Sequence, residues 1–145
     1  MSPLWRDILI NITPHPTRQP RGMDVRPRPG QNLSMARLTI RIDFDSRPAF
    51  GPGKASLLEA IAAEGSIRKA AAYLGMSYRR AWLLVKSVEK SLGAPVLAVA
   101  SGGRKGGGAT LTKAGREVVA RYRKVEAKAA RAAATELRAL DKMLR

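Results

Sequence analysis

The feature of this sequence that most constrains its fold is the segment of residues 65–116, in which short helical stretches alternate with glycines. One amphipathic stretch follows Ser66 and ends at Gly75, and a second follows Ser77. Ten side chains of the segment are basic and one, Glu89, is acidic, so the segment carries +9 of the chain's formal charge of +16. Two capped helices joined by a tight turn and followed by a basic hairpin are typical of modules that read DNA. The sequence therefore predicts a helix-turn-helix with an adjoining wing.

Composition argues against several other classes of function. The chain has no cysteine, which excludes disulfides, thiolate metal sites and cysteine nucleophiles. Its one histidine, His15, lies between two prolines, so a histidine-based triad is not expected. Asp43 and Asp45 alternate along a predicted strand and are interpreted as its solvated edge. We therefore expect a protein that is not an enzyme and that has no cofactor and no metal site.

The strong positive charge favours an anionic partner. Double-stranded DNA is the first candidate, and an anionic membrane surface is the weaker alternative. The sequence has no apolar run of about 18 residues, the length that suggests a membrane span. The apolar piece at residues 8–12 is too short for a signal peptide. We expect a cytoplasmic protein that binds DNA and no membrane.

Residues 1–34 differ from the rest of the chain in composition. They hold six of the nine prolines and lack helical or strand periodicity, which predicts a disordered, Pro/Arg-rich extension. Two explanations of this extension stay open. Met35 could be the true start of the protein, with the preceding residues a mis-assigned upstream stretch. Alternatively, the extension is a basic tail that adds non-specific affinity for DNA.

Hydrophobic periodicity and capping residues divide the remainder into elements. The predicted elements are a strand at 38–44, a Pro/Gly turn at 47–53, helices at 54–64, 66–75 and 77–92, short strands at 95–100 and 109–111, and a last helix from 112 to the C-terminus. The first helix is expected to bury Leu57, Leu58, Ile61 and Ala62. The predicted fold class is mainly α with a small β-hairpin wing: a winged helix-turn-helix (residues 35–116) with a long C-terminal dimerisation helix (117–145).

The candidate DNA-binding residues lie mostly in the opening turns of helices. Basic side chains there oppose the helix macrodipole unless an anion such as phosphate binds beside them. The predicted set is Ser66, Arg68, Lys69, Ser77, Tyr78, Arg79, Arg80, Trp82, Lys86, Lys90, Arg104, Lys105, Lys113 and Arg116. The alternative for the cations is a solvated face. Trp82 and Tyr78 could instead pack in the core, and Ser77 could act only as a helix cap.

The glycine-rich stretch at residues 101–108 resembles a phosphate loop only superficially. A nucleotide-binding loop needs Gly-Lys-Ser/Thr at the start of a helix, whereas Lys105 is followed by three glycines and a strand. As the tip of a hairpin, however, the stretch would let Arg104 and Lys105 follow the DNA backbone. We therefore interpret it as the tip of the wing.

Several of these motifs together resemble the N-terminal domain of the ModE family of molybdenum-responsive transcriptional regulators. The matching residues are Gly65-Ser66-Ile67, Ala70-Ala71, Gly75-Met76-Ser77-Tyr78, Ala81-Trp82, Gly102-Gly103, Gly106-Gly107-Gly108-Ala109, Leu111-Thr112 and Gly115. The resemblance covers about residues 38–122 and implies a winged helix-turn-helix that dimerises through its last helix and binds an operator. The family's C-terminal molybdate-binding domains have no counterpart before Arg145, so molybdate sensing is not implied. Three alternatives stay open: a regulator without a ligand, a regulator that responds to an unknown effector, and a DNA-binding half whose partner is a separate sensor protein.

The last helix carries a continuous apolar stripe. Its members step by three or four residues, close to a coiled-coil seam. They are Val118, Tyr122, Val125, Ala129, Ala133, Leu137, Leu140 and Leu144. We expect this stripe to form the interface of a homodimer, which would match a palindromic operator. The alternative is that the alanine-rich middle of the helix packs back on the domain.

Two other functions stay open beside a sequence-specific regulator. The charge alone would support an architectural protein that coats DNA without sequence preference. The glycine loop or the dimer interface could instead bind an oxyanion such as molybdate or tungstate directly.

Overall fold

The computed structural model describes residues 36–100 and 108–144, and over these ranges it is mainly helical with two small antiparallel hairpins. The predicted extension at 1–34, with Met35, and the predicted wing residues Arg104 and Lys105 lie outside the described residues. The elements are β1 (Ile42–Phe44), β2 (Arg47–Phe50), α1 (Pro52–Glu64), α2 (Ile67–Tyr73), α3 (Tyr78–Leu92), β3 (Leu97–Val99), β4 (Ala109–Leu111), α4 (Lys113–Ala132) and α5 (Ala134–Met143). The predicted fold class, mainly α with a small β-hairpin, is confirmed.

Helices α2, α3 and α4 begin, and α1 and α3 end, where the sequence places capping residues. The hydroxyls of Ser66, Ser77 and Thr112 accept hydrogen bonds from the backbone N–H groups of the first turns of α2, α3 and α4. Such caps satisfy donors that have no partner within the helix. Gly65 and Gly93 follow α1 and α3 with φ of 64° and 69°, the left-handed conformation that favours glycine.

The core forms where α1, α2 and α3 pack together, with β2, β4 and α4 against them. Its buried members are Phe50, Ala55, Leu57, Leu58, Ala60, Ile61, Ile67, Ala70, Ala71, Ala81, Val85, Val88, Val96, Leu97, Ala109, Leu111, Val119 and Tyr122. One predicted core residue, Ala62, is exposed. The apolar periodicity places it near the edge of the buried face of α1, and the packing of α2 and α3 leaves that edge in solvent.

The N-terminal hairpin corrects two further predictions. The strand is shorter than residues 38–44, and the segment predicted as a turn contains β2, which pairs with β1 through Ile42–Phe50 and Phe44–Arg47. The end of α3 holds β2 in place. The Ser91 hydroxyl donates to the carbonyl of Pro48 at 2.5 Å, and Arg47 Nη1 donates to the Ser91 carbonyl at 2.9 Å. These contacts span more than 40 positions of sequence, so local turn propensity could not indicate them.

The sequence predicted one helix from residue 112 to the C-terminus, but the structure divides this segment into α4 and α5. Ala133 adopts φ −90° and ψ 4°, which separates α4 from α5. The carboxylate of Asp141 on α5, a buried side chain, accepts a hydrogen bond from the backbone N–H of Ala36. This contact joins the two ends of the described chain. It depends on tertiary structure and has no signature in the periodicity of the helix.

The first half of α4 is fixed to the domain by one arginine and one tyrosine. Arg123 donates to the Glu59 carboxylate through Nε at 2.8 Å and Nη2 at 2.7 Å, and to Glu126 through Nη1 at 2.5 Å. Hydrogen bonding to Glu59 raises the pKa of the Arg123 guanidinium, so it stays charged. The Tyr122 ring meets Phe50 edge-on at 5.2 Å between centroids, and its hydroxyl donates to the Ile40 carbonyl at 2.8 Å. α4 thereby holds α1 and the N-terminal hairpin together.

Replacing Tyr122 with phenylalanine should lower the stability of the protein at neutral pH. It should also make stability fall less steeply as the pH rises above 10. Removing the hydrogen bond to Ile40 should reduce the free energy of unfolding by about 0.5–1.5 kcal/mol at pH 7. Burial raises the pKa of Tyr122 above its ordinary value of 10.0. The protonated phenol therefore contributes fully to the free energy of unfolding below pH 10, and this contribution is lost as the pH rises above 10.

Urea unfolding between pH 7 and pH 11 measures this effect. Above pH 10 the wild-type protein should lose up to about 1.4 kcal/mol per pH unit more than the Tyr122→Phe variant. Parallel stability curves for the two proteins above pH 10 would contradict it.

No helix within the described residues is both long and apolar enough to cross a membrane.

Candidate nucleic-acid interface

The helix-turn-helix is formed by α2, the turn at Gly75 and α3. Gly75 has φ of 66°, and this left-handed residue reverses the chain between the two helices. The Ser66 hydroxyl accepts from Lys69 N–H at 3.4 Å, and the Ser77 hydroxyl accepts from Arg80 N–H at 3.2 Å. Both caps leave the basic side chains of the first turns exposed. The predicted cap role of both serines is confirmed.

The exposed side of α3 is strongly basic. Ala81, Val85 and Val88 are buried against the rest of the domain. Positions three and four residues apart lie on the same side of a helix, and the side opposite these buried residues is formed by Arg79, Leu83, Lys86 and Lys90. All four are exposed, and we call them the outer face of α3. Three of its four side chains can meet phosphates or the edges of bases.

Two aromatic residues of α3 lie beneath cations. The guanidinium of Arg68 on α2 lies 5.8 Å from the centroid of the Tyr78 ring, and Lys86 Nζ lies 4.7 Å from that of Trp82. Tyr78 is 49% exposed, whereas Trp82 is partly buried and packs against the core. Arg68 and Tyr78 therefore bring the starts of α2 and α3 together, and Trp82 combines a packing role with its position beside Lys86.

The acidic residue of the basic segment helps to hold α3 in place. Glu89 accepts from Lys86 Nζ through Oε2 at 2.8 Å and from the backbone N–H of Val96 through Oε1 at 3.2 Å. The second contact joins α3 to the beginning of β3. Arg68, Lys69, Arg79, Arg80, Lys90 and Lys113 form no ion pair with an acid of residues 36–100 or 108–144. Their charge is not neutralised within this part of the chain.

The base of the wing lies beside the start of α2. β3 and β4 pair through Leu97–Leu111, Ala98–Thr110 and Val99–Ala109. The backbone N–H of Ala109 donates to the carbonyl of Gly65 at 2.8 Å. Because Gly65 precedes the cap of α2, this bond places the wing next to the helix-turn-helix. The tip of the wing, with the predicted contacts Arg104 and Lys105, lies outside the described residues.

The start of α4 follows directly after β4, the second strand of the wing. The Thr112 hydroxyl accepts from Gly115 N–H at 3.1 Å and donates to the Pro95 carbonyl at 2.7 Å. Lys113 is exposed in the first turn of α4. Arg116 Nη1 donates to the Leu111 carbonyl at 2.6 Å, so this predicted phosphate contact bonds in part to the wing itself.

Lys54 is basic, but its ammonium group forms hydrogen bonds within the domain. Its Nζ donates to the Ala49 carbonyl at 2.5 Å and to the Ser87 hydroxyl at 2.7 Å, which joins the start of α1 to α3. Burial lowers the pKa of this ammonium group. Lys54 therefore lies apart from the exposed cations described above.

The set predicted from sequence omitted one exposed residue of the outer face, Leu83, which is 58% exposed. A helical wheel of α3 places it with Arg79 and Lys86, so the signal was present in the spacing of the residues.

The described residues contain no cluster of three or more histidine, cysteine or acidic side chains arranged to bind a metal.

The helix pair α2 and α3, followed by the hairpin of β3 and β4, defines a winged helix-turn-helix domain. The family model described as "Bacterial regulatory helix-turn-helix protein, lysR family" matches residues 54–116, from α1 through the wing to the first turn of α4. This match confirms the predicted helix-turn-helix.

Curated relatives confirm the predicted resemblance to ModE-type regulators. Molybdenum-pterin-binding protein MopB of Rhodobacter capsulatus is 46% identical over 77 residues, 53% of this chain and 28% of that protein. Molybdenum transport protein ModE of Azotobacter vinelandii is 39% identical over 92 residues, 63% of this chain and 33% of that protein. The DNA-binding transcriptional dual regulator ModE of Escherichia coli K12 is 31% identical over 87 residues, 60% of this chain and 33% of that protein. The chain thus spans about a third of the length of these relatives.

Among solved structures, the crystal structure of a CbnR_DBD–DNA complex matches with a TM-score of 0.48 and 23% identity. The match covers 61% of this chain and 95% of that chain.

Proposed function

We propose that this protein is a sequence-specific, DNA-binding transcriptional regulator that binds a palindromic operator as a homodimer. The observation that carries the proposal is the outer face of α3, where three cations project from a helix whose opposite side is buried in the domain. A helix of this kind fits the major groove, which presents a distinct pattern of donors, acceptors and methyl groups for each base pair.

We propose that some of the predicted residues read bases and that others bind phosphates. Arg79 and its neighbours on α3 would read base edges. Lys69 and Lys113, which lie in the opening turns of α2 and α4, would bind phosphates, as would Arg104 and Lys105 on the wing. Phosphate contacts position a protein on the duplex and set its affinity, whereas contacts to base edges carry sequence information.

The exposed part of the apolar stripe supports a homodimer. Val125 and Leu140 are 42% and 50% exposed, and Leu144 is also exposed. Tyr122, which was predicted as an interface residue, is buried within the domain, so we propose an interface formed mainly by the stripe from Val125 onward. An open apolar groove lined by Phe44, Val118 and Val125 continues this surface toward the N-terminal hairpin.

The isolated protein should therefore have the mass of two 15.7 kDa chains in light scattering at micromolar concentration. The paired substitution Val125→Asp with Leu140→Asp should yield a folded monomer, because it places charge in the interface and leaves the core unchanged. Ala130→Asp, on another side of α4, is the matched control and should remain dimeric. A monomeric mass for the wild-type protein would refute the homodimer.

Selection of DNA by the purified protein tests the function. Genomic fragments and random-sequence duplexes would be selected at about 150 mM salt in the presence of competitor DNA, because non-specific affinity depends steeply on salt. Recovery of one palindromic motif would support the regulator. Recovery of fragments that share no motif would favour the architectural protein or a regulator that lacks its effector.

The names of the relatives make molybdate the first effector to test. The selection would be repeated with molybdate, and a motif recovered only in its presence would show that this oxyanion controls DNA binding. Calorimetry with molybdate tests direct binding, and an absence of binding below millimolar concentration would exclude the oxyanion-binding alternative.

A further inference from the structure

The outer face of α3 contains one apolar side chain among three cations, and its position in the helix is informative. Leu83 lies four residues after Arg79 and three before Lys86, so it stands at the centre of this face. A single exposed leucine is common on protein surfaces. This one, however, occupies the middle of the surface that the proposed function places in the major groove.

We propose that Leu83 reads a thymine in the operator through apolar contact with its 5-methyl group. This inference rests on the proposed function, because it assigns a base to a residue of the same helix. A leucine side chain has no hydrogen-bond donor or acceptor. The thymine methyl is the apolar feature of the four natural bases in the major groove, so thymine is the base that a leucine can distinguish.

The geometry of α3 places this contact close to that of Arg79. Four residues of helix advance by about 6 Å, and bases along one strand are about 3.4 Å apart. The two side chains would therefore read bases within about two positions of each other. Arginine pairs most often with guanine through O6 and N7. The expected half-site then contains a guanine and a thymine that are adjacent or separated by one base.

Charge complementarity supports DNA as the occupant of this surface. Arg79, Lys86 and Lys90 surround Leu83, and a protein partner would have to present an acidic surface with an apolar centre. The major groove provides this combination, since phosphates line its edges and thymine methyls project from its floor.

The test replaces single thymidines of the selected operator with 2′-deoxyuridine, which lacks only the 5-methyl group. At one position in each half-site, this replacement should lower the affinity of the wild-type protein for the operator about fourfold. That is the loss expected when one buried methyl group is removed. Leu83→Ala should bind thymidine and deoxyuridine at that position equally well. Leu83→Met, which preserves an apolar side chain of similar size, should retain most of the discrimination.

Met143→Ala is the matched control, because Met143 is an exposed apolar residue at the end of α5. It should discriminate as the wild type does. Leu83 is exposed and alanine favours helices, so Leu83→Ala should fold, and its thermal midpoint would verify this.

Each outcome decides the proposal. Undiminished discrimination in Leu83→Ala would overturn it, as would loss of discrimination in Leu83→Met or equal wild-type binding to every deoxyuridine operator. Failure to select any operator, both with and without molybdate, would instead refute the proposed function, and the assignment to Leu83 would fall with it.

Discussion

Gly115→Ala should lower the free energy of unfolding by about 2–3 kcal/mol, the upper part of the range for overpacking a tightly packed site. A Cβ atom at this position would lie 2.4 Å from the backbone oxygen of Val96 and 3.2 Å from its carbonyl carbon. Contacts this short with backbone atoms cannot be relieved by rotation of a side chain, so α4 or β3 would have to move.

Both backbones at this contact are fixed by other interactions. The carbonyl of Val96 accepts from Thr112 N–H at 3.0 Å, and Val96 N–H donates to Glu89. The hydroxyl of Thr112 links Gly115 N–H to the Pro95 carbonyl. A shift at Gly115 would therefore disturb the cap of α4 together with the base of the wing. Weaker DNA binding should accompany the loss of stability.

Thermal unfolding measures the effect, and a decrease in midpoint on the order of 10 °C is expected for a domain of this size. Gly53→Ala is the matched control. Gly53 also lies in the first turn of a helix, but an added Cβ there would have no atom within 4 Å. Alanine at residue 53 should leave stability unchanged or raise it by up to about 1 kcal/mol. Equal midpoints for the two variants would show that α4 can move away from Val96 without loss of stability.

Arg79→Ala should reduce affinity for the selected operator by about 1–3 kcal/mol, which is about fivefold to 150-fold, and relax the preference for that sequence. Arg79 is exposed on α3 and has no acidic partner in the described ranges of the chain, so the substitution removes a potential base contact without breaking an ion pair there. Titrations of operator and of random duplex, followed by fluorescence anisotropy, measure the change in their ratio.

Lys113→Ala provides the contrast. Lys113 is exposed in the first turn of α4 beside the wing. If it binds a phosphate, its loss should weaken operator and random DNA about equally and lower the slope of log affinity against log salt by about one unit. The division between base-reading and phosphate-binding residues would be refuted by two variants that change both duplexes in the same way.

The helix-turn-helix was predictable from sequence because its determinants are local. Ser66, Ser77 and Thr112 cap their helices through side-chain bonds to residues three positions later. The glycines at 65, 75 and 93 have the positive φ that ends or reverses a helix. Periodicity also identified the buried side of α3, because three or four consecutive turns repeat the same pattern.

The predictions that failed depend on contacts between distant residues. β2 was predicted as a turn because Pro48 and nearby glycines disfavour a strand, yet Ser91 and Arg47 fix it against α3. The break at Ala133 and the contact of Asp141 with Ala36 also join separate parts of the chain. Tyr122 shows the same limit, since the apolar stripe could not distinguish a residue that packs on Phe50 from one exposed on the next turns.

The sequence alone determined the order of α1 to α4, the capped starts of α2, α3 and α4, and the basic character of the surface, since capping, backbone conformation and charge act over a few residues. Tertiary structure decided which residues of each helix are available. It buried Tyr122 against Phe50 and joined Asp141 to Ala36. The physical reason is that exposure depends on how elements far apart in the chain pack together, and no local pattern records that packing.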